Sequence, residues 1–126
     1  MAGKKLQLME SFAVTRVYAD ENGDSRFEDV SIPLNEAGEI GFLSEAQKAG
    51  TVIFRKVVQQ YDYDFHNAPA RQYILLMDGV IEIETSLGDK RTFNAGEVLL
   101  VEDTTGKGHK TKNITDAIRS SVFITL

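Results

Sequence analysis

The sequence predicts an all-β protein, either a sandwich or a closed barrel of about nine or ten short strands. Three observations support this: short strand-like runs recur at regular spacing, glycine-containing turns separate them, and no long segment has the periodicity of a helix. The 126 residues fit a single domain with a buried core, and closure would hide sheet edges that otherwise pair with other chains.

The N-terminal part contains two strand candidates followed by a less regular segment. Residues 12–18 are rich in side chains that favour strands, residues 19–25 form a polar turn around an Asn-Gly pair, and residues 27–34 contain apolar side chains among acids. Residues 35–50 include Gly38 and Gly41, and a single helical turn is expected at residues 44–48.

The C-terminal part carries the strongest strand signals. Residues 51–60 are rich in β-branched side chains, and residues 72–77 form a continuous apolar run that is typical of a strand buried on both faces. An Asp-Gly turn follows, and residues 80–85 then alternate, with Ile81 and Ile83 on one face. Further strands are expected at residues 90–94, 98–101 and 118–126.

Charge and composition exclude several classes of protein. The net charge of −5 and the absence of basic clusters argue against partners such as nucleic acids or anionic membranes. Without cysteine, the chain has no disulfide, thiolate nucleophile or zinc–thiolate site. No apolar run reaches the roughly 18 residues of a membrane span, and the N-terminus lacks a signal-peptide core. We therefore expect a cytoplasmic protein.

The only two histidines, His66 and His109, flank a segment of alternating strands and turns. They are expected to come from different strands of one small barrel and to share a pocket. If residues 66 to 72 followed strand alternation, Ala68 and Gln72 would point the same way as His66.

One hypothesis for the histidine pair is a transition-metal site. Imidazole binds zinc, iron, nickel, copper and manganese, and a firm site needs three or four ligands. The third ligand beside His66 and His109 would be Gln72, through its amide oxygen, or a carboxylate such as Glu102 or Asp103. Two histidines and a glutamine fall short of the usual site in ligand number and charge.

The alternative is a pocket without metal, in which His66 or His109 acts as a general acid or base. Tyrosines near His66 could donate a proton or hold a substrate oxygen, whereas Tyr73 also fits simple packing. Arg55 and Arg71 could clamp a carboxylate or phosphate, although an ion-paired arginine is the commoner case for either one.

The loop at residues 102–112 combines two acids, three lysines and His109. Its Gly-Lys-Gly triplet does not have the spacing of a phosphate-binding loop, and no strand-to-helix context follows. The glycines are expected to let the chain turn tightly and to bring His109 back into the barrel.

The histidine spacing resembles the two sequence motifs of the cupin superfamily. In the first motif, His66 takes the place of the first histidine, Ala68 of the second, Gln72 of the glutamate and Gly79 of the closing glycine, with the spacing intact.

The second cupin motif is matched less completely. Gly96 opens it, and His109 and Asn113 close it at the right interval. Glu102 replaces the proline, and two extra residues precede His109. The resemblance covers residues 51–126 well and the N-terminal third only loosely.

The resemblance implies a double-stranded β-helix, or jelly-roll barrel, as a single domain over residues 1–126 with its core barrel at residues 51–126 and a ligand cavity in the barrel mouth. Cupins that keep three histidines and a glutamate typically bind iron, manganese, nickel or zinc, whereas others transfer protons through histidine without metal. Cupins also commonly dimerise through N-terminal strands, which implies a homodimer formed with residues 1–34.

Three hypotheses for function follow. The first is an enzyme that acts on a small polar metabolite by isomerisation, epimerisation, elimination or metal-assisted chemistry, with His66, Gln72 and His109 in the pocket. The second is a non-catalytic module that binds or senses a small molecule in the same cavity. The third is a dimerisation scaffold with a vestigial pocket.

Overall fold

The computed structural model describes residues 10–126, and all regular structure in this range is β-strand. Its strands are β1 (Glu10–Ala19), β2 (Ser25–Leu34), β3 (Glu36–Gly38), β4 (Gly41–Leu43), β5 (Val52–Val57), β6 (Asp62–His66), β7 (Gln72–Leu76), β8 (Val80–Thr85), β9 (Lys90–Asn94), β10 (Val98–Val101), β11 (His109–Asn113) and β12 (Arg119–Thr125). The all-β prediction is confirmed. The helical turn expected at residues 44–48 is wrong, because this exposed segment is irregular and follows the unpredicted β3–β4 hairpin. No helix among residues 10–126 is long and apolar enough to cross a membrane.

Successive strands from β5 to β12 lie in different sheets, except for β8 and β9, which form a hairpin in one sheet. In one sheet the order is β5, β12, β7 and β10, and in the other it is β6, β11, β8 and β9. All of these neighbours are antiparallel. This strand order is that of an eight-stranded jelly roll, which cupins share. The chain therefore has a cupin-like jelly-roll fold.

The two N-terminal strands enlarge the first sheet to six strands. β1 pairs in parallel with β10 and antiparallel with β2, so that β2 forms the sheet edge. Arg16 of β1 donates a hydrogen bond from Nε to Oε1 of Glu102 just after β10, at 2.5 Å. Residues 10–34 are thus paired within their own chain, residues 1–9 lie outside the described range, and the dimer predicted for residues 1–34 stays a prediction.

The core follows the alternation of the inward-facing strand residues. Ile81 and Ile83 of β8, predicted to share one face, are both buried, and Leu99 and Val101 of β10 pack in the same core from the other sheet. Strand β7 corrects a prediction: only its ends, Gln72 and Leu76, are buried, and the residues between them are half-buried. Burial on both faces would need a layer over each side, and the sandwich covers only one completely.

Candidate functional site

A cavity of about 360 Å³ lies between the two sheets. Its aliphatic lining residues include Ile74, Leu76, Ile81, Ile83, Leu99 and Val101. Its polar lining residues are Arg55, Tyr61, Tyr63, His66, Asn67, Gln72, His109, Thr111 and Arg119. A cavity that combines apolar lining with convergent polar groups is typical of a small-molecule site.

The two histidines lie side by side on neighbouring strands. His66 is the last residue of β6, His109 is the first residue of β11, and they are direct partners across the antiparallel ladder. Their ring centroids are 4.7 Å apart. The structure thus brings together in one cavity the pair that the sequence places on different strands.

A bulge in β6 adds a tyrosine to this pair. His109 pairs with His66 and Thr111 pairs with Tyr63, so β6 uses one more residue than β11 over the same distance. The extra residue lets Tyr63 and His66 both line the cavity, although plain alternation would place them on opposite faces. Their ring centroids are 4.2 Å apart.

Gly108 permits the close approach of the two histidine strands. Its φ is +77°, and a Cβ atom at this position would collide with the carbonyl group of His66 and the backbone nitrogen of Asn67. A residue without a side chain is therefore required where β11 begins. This agrees with the expectation that the loop glycines bring His109 back into the barrel.

His109 is held by a buried carboxylate. Nδ1 of His109 lies 2.6 Å from Oδ2 of Asp103, and both residues are buried. Because a carboxylate only accepts hydrogen bonds, Nδ1 carries the proton and Nε2 of a neutral ring keeps its lone pair. The other carboxylate oxygen, Oδ1, is enclosed and has no partner among the described residues. A buried acceptor without a partner is costly, and is a feature expected of functional sites rather than of ordinary cores.

His66 has a different environment. Its Nδ1 lies 2.9 Å from the backbone oxygen of Asp64, so that Nδ1 is again the donor and Nε2 is free. Burial lowers the pKa of His66, and the charge of a protonated His109 lowers it further, against the hydrogen bond to Asp64. His66 is therefore a neutral base at neutral pH.

We expect the His66 ring to titrate below its ordinary pKa of 6.5. Between the folded-state pKa and 6.5, the unfolded chain then binds more protons than the folded chain. The contribution of His66 to the free energy of unfolding is therefore fully present above pH 6.5, and it is lost as the pH falls through this window. Ring-proton NMR over a pH series measures the titration, and His66→Gln should remove this part of the acid dependence of unfolding. A ring pKa at or above the ordinary value would contradict the expectation.

Two arginines from the first sheet, Arg55 and Arg119, also line the cavity, and we call this part of the lining the arginine wall. Arg119 at the start of β12 is 3% exposed, and its Nε donates to Oδ1 of Asn113 at 2.8 Å. Arg55 of β5 lies over the ring of Tyr61, with its Cζ 4.9 Å from the ring centroid. Burial lowers the pKa of Arg119, and the charge of Arg55 lowers it further, but a guanidinium stays protonated at any physiological pH.

Gln72 and Ala68 line the cavity together with His66, although they do not share a strand with it. Both are buried and both line it. The condition of one alternating strand over residues 66 to 72 is not met, because β6 ends at His66 and β7 begins at Gln72 in the other sheet. The connection between the sheets, rather than strand parity, places these side chains near His66.

The predicted metal set of His66, His109 and Gln72 does not fit a divalent cation. It supplies two imidazoles and an amide, and no carboxylate is among the described residues that line the cavity. Within residues 10–126, no group of three or more His, Cys, Asp or Glu is placed to hold an ion. The two guanidinium groups would also repel a cation, whereas stable sites for zinc, iron, manganese or nickel need more ligands or compensating negative charge.

Three other candidates lie outside the cavity. Oη of Tyr73 donates to Oε1 of Gln47 at 2.6 Å on the outer face of the first sheet. Arg71 is exposed and its Nε donates to Oε2 of Glu102 at 2.6 Å. Burial raises the pKa of Glu102, but hydrogen bonds from Arg16 and Arg71 outweigh this and lower it overall. These residues form a structural ion-pair cluster and a surface contact.

The sequence patterns did not single out Arg119 as a cavity residue. A signal exists, because Arg119, Ser121 and Phe123 alternate on one face of the last strand. For Asp103 the sequence suggests only a metal ligand, and its bond to Nδ1 of His109 instead makes it the partner that orients the ring.

No protein-family model and no curated protein matches this sequence. Among solved structures, the protein NMB1881 from Neisseria meningitidis is 20% identical with a TM-score of 0.45, over 67% of this chain and 87% of that chain. The Cnp3 cupin domain of Schizosaccharomyces pombe is 11% identical with a TM-score of 0.45, over 92% of this chain and 83% of that one. A putative ethanolamine utilization protein Q from Salmonella typhimurium is 13% identical with a TM-score of 0.36, over 93% and 95% of the two chains. These similarities are too low to indicate a ligand or an activity.

The strand order and the cavity together define a class. The chain has the cupin-like jelly-roll fold and encloses, between its two sheets, a cavity with a histidine wall and an arginine wall.

Proposed function

We propose that the cavity binds a small polar metabolite and that His109, assisted by His66, transfers a proton on it, as isomerases, epimerases and lyases do. The observation that supports this most strongly is the buried hydrogen bond between Nδ1 of His109 and Oδ2 of Asp103. It fixes the tautomer with a free Nε2 and stabilises the imidazolium that forms when Nε2 takes a proton.

The proposed proton transfer needs no cofactor. Nε2 of His109 removes a proton from a carbon next to a carbonyl group, and the electron pair moves onto the carbonyl oxygen. Return of the proton to the other face of the same carbon completes an epimerisation. Return to the neighbouring carbon, with transfer of the intermediate's hydroxyl proton to the first oxygen, completes an isomerisation. Tyr63 and Gln72, which line the same cavity, supply hydrogen bonds to substrate oxygens in this proposal.

Deuterium exchange tests this step even while the substrate is unidentified. The protein is incubated in D₂O with a panel of small α-hydroxy and α-keto acids, ketoses and aldoses, and loss of the exchangeable C–H signal is followed by proton NMR. We expect catalysed exchange for at least one compound with the unaltered protein and none above background with His109→Gln. Equal exchange in both proteins, or in neither across the panel, would leave proton transfer without support.

A non-catalytic binding module is the second candidate. The aliphatic part of the lining favours it, because apolar contact stabilises a bound ligand without any chemical step. Ligand-induced shifts in the NMR spectrum without any deuterium exchange would support this candidate. A cytoplasmic location and a homodimer complete the proposal, and both follow from the sequence expectations alone.

A further inference from the structure

Arg119 is a buried cation without an acidic partner. Its side chain is almost fully enclosed, yet no carboxylate among residues 10–126 lies within ion-pair distance of it. Asp78 is near enough to favour the charged form, but its Oδ1 accepts from the backbone nitrogen of Ser120. Arginines are rarely buried unless they are paired, so this one calls for a partner that comes from outside the chain.

Arg55 repeats the pattern on the neighbouring strand. It makes no hydrogen bond to a side chain or ion pair within the described part of the chain, and only the rings of Tyr61 and Phe123 lie beneath it, at 4.9 and 5.2 Å. The charge of Arg55 is close enough to lower the pKa of Arg119, and the two guanidinium groups line the same cavity. An anion between them would relieve the repulsion.

The charged side chains that line the cavity are positive, although the protein as a whole has a negative net charge. The chain has a net charge of −5, and nevertheless no aspartate or glutamate is among the described residues that line the cavity, while two arginines are. Asp103 stands behind His109 and is engaged by its Nδ1. The positive charge is therefore local to the cavity.

The arginine wall is also held in place. The aliphatic stem of Arg119 packs against Gly79, where a Cβ atom would lie 3.3 Å from both Cγ and Cδ, and Asn113 fixes Nε. With Nε engaged, the two Nη nitrogens remain to bind a ligand. A guanidinium that is preorganised in this way loses less entropy when it binds a carboxylate or phosphate.

We propose that Arg55 and Arg119 form an anion subsite, so that the ligand of this cavity is a small organic acid whose carboxylate or phosphate group lies on the arginine wall. The inference rests on the proposed function only in assigning the ligand as its substrate. The arginines belong to β5 and β12, the histidines to β6 and β11 of the other sheet, and all four line one cavity. In this proposal an anion bound by the arginines leaves its carbon skeleton in the same cavity as His109.

Binding of matched fluorinated probes tests the subsite. The probes are 4-fluorobenzoate, 4-fluorophenyl phosphate and the neutral 4-fluorobenzamide, each titrated against the protein by ¹⁹F NMR. We expect at least one anion to bind about 10-fold or more tightly than the amide, and Arg119→Met to remove about 10-fold or more of that affinity, because charge-assisted hydrogen bonds are lost. Affinity for the amide should stay the same. The preferred anion identifies the group that the subsite accepts.

Arg91→Met is the matched control, since it removes the same charge from a residue that does not line the cavity. Arg119→Met keeps the stem and removes a buried charge, so its unfolding temperature should equal or exceed that of the unaltered protein. Arg55→Gln, at a half-buried site, provides a second variant that should weaken anion binding in the same direction.

Equal affinity for the amide and both anions, no anion binding in the millimolar range, or an Arg119→Met protein that keeps anion affinity would each overturn the subsite. His109→Gln separates this result from the proposed function, because it should bind the anions normally while it abolishes deuterium exchange. Anion binding without exchange would retain the subsite and reject proton transfer. Deuterium exchange without anion binding would retain proton transfer and reject the subsite.

Discussion

Asp103→Asn is expected to reduce catalysed deuterium exchange by about 10²–10⁴-fold, the range that general acid–base catalysis contributes. The amide of asparagine can donate to Nδ1 of His109, which favours the tautomer with the proton on Nε2. The nitrogen that faces the substrate then has no lone pair, although the ring keeps its position. The fold should be retained, because the replacement has almost the same shape and one oxygen of Asp103 already lacks a partner among the described residues.

The neighbouring carboxylate provides the control for this prediction. Glu102 precedes Asp103 but binds Arg16 and Arg71 away from the cavity, at 2.5 and 2.6 Å. Glu102→Gln should therefore affect thermal unfolding and leave the exchange rate of the bound compound unchanged. Equal losses of exchange in the two variants would show that Asp103 acts through general stability and not through His109.

Gly108→Ala is expected to lower the free energy of unfolding by more than about 2 kcal/mol, beyond the roughly 1–2 kcal/mol that a left-handed backbone alone costs a residue with a side chain. The added methyl group would meet the carbonyl group of His66, which is backbone and cannot rotate away. Strands β6 and β11 must then separate at the point where the two histidines pair. Urea unfolding measures the stability, and the nuclear Overhauser effect between the two imidazole rings reports their proximity.

Gly88→Ala isolates the clash from the backbone strain. Gly88 has a φ of +85°, close to the +77° of Gly108, but nothing lies within 4 Å of the position its Cβ would take. Gly88→Ala should lower the free energy of unfolding only by the cost of the left-handed backbone. It should keep the contact between His66 and His109. If the two alanine variants unfold at the same urea concentration, the close approach of β6 and β11 is not limited by Gly108.

Much of the fold could be predicted because local sequence patterns indicate most of its strands. Alternation fixed the inward face of residues 80–85, and the Asp-Gly pair marked the hairpin before it. The short β3–β4 hairpin has little buried surface and so leaves no such pattern. Residues 44–48 contain good helix formers, but one turn is too short to be stable without a face to pack against.

The site was less predictable, for reasons of geometry. Strand alternation alone would have placed Gln72 in the cavity and Tyr73 outside it, since adjacent residues of a strand point to opposite faces. It would also have indicated Arg119 as a cavity residue. The contact between Tyr63 and His66 could not be foreseen, because it depends on an extra residue in β6 that changes the parity. The role of Asp103 depends on a loop conformation that no periodicity encodes.

The parallel pairing of β1 with β10 has a consequence for how the chain folds. Arg16 and Glu102, which join these strands, are 86 positions apart in the sequence. During synthesis β1 and β2 can form their hairpin early, but their place in the sheet does not exist until residues 98–101 have left the ribosome. Folding of a chain with such distant pairings is slow, of the order of milliseconds to seconds, and the N-terminal hairpin must wait with one edge uncovered.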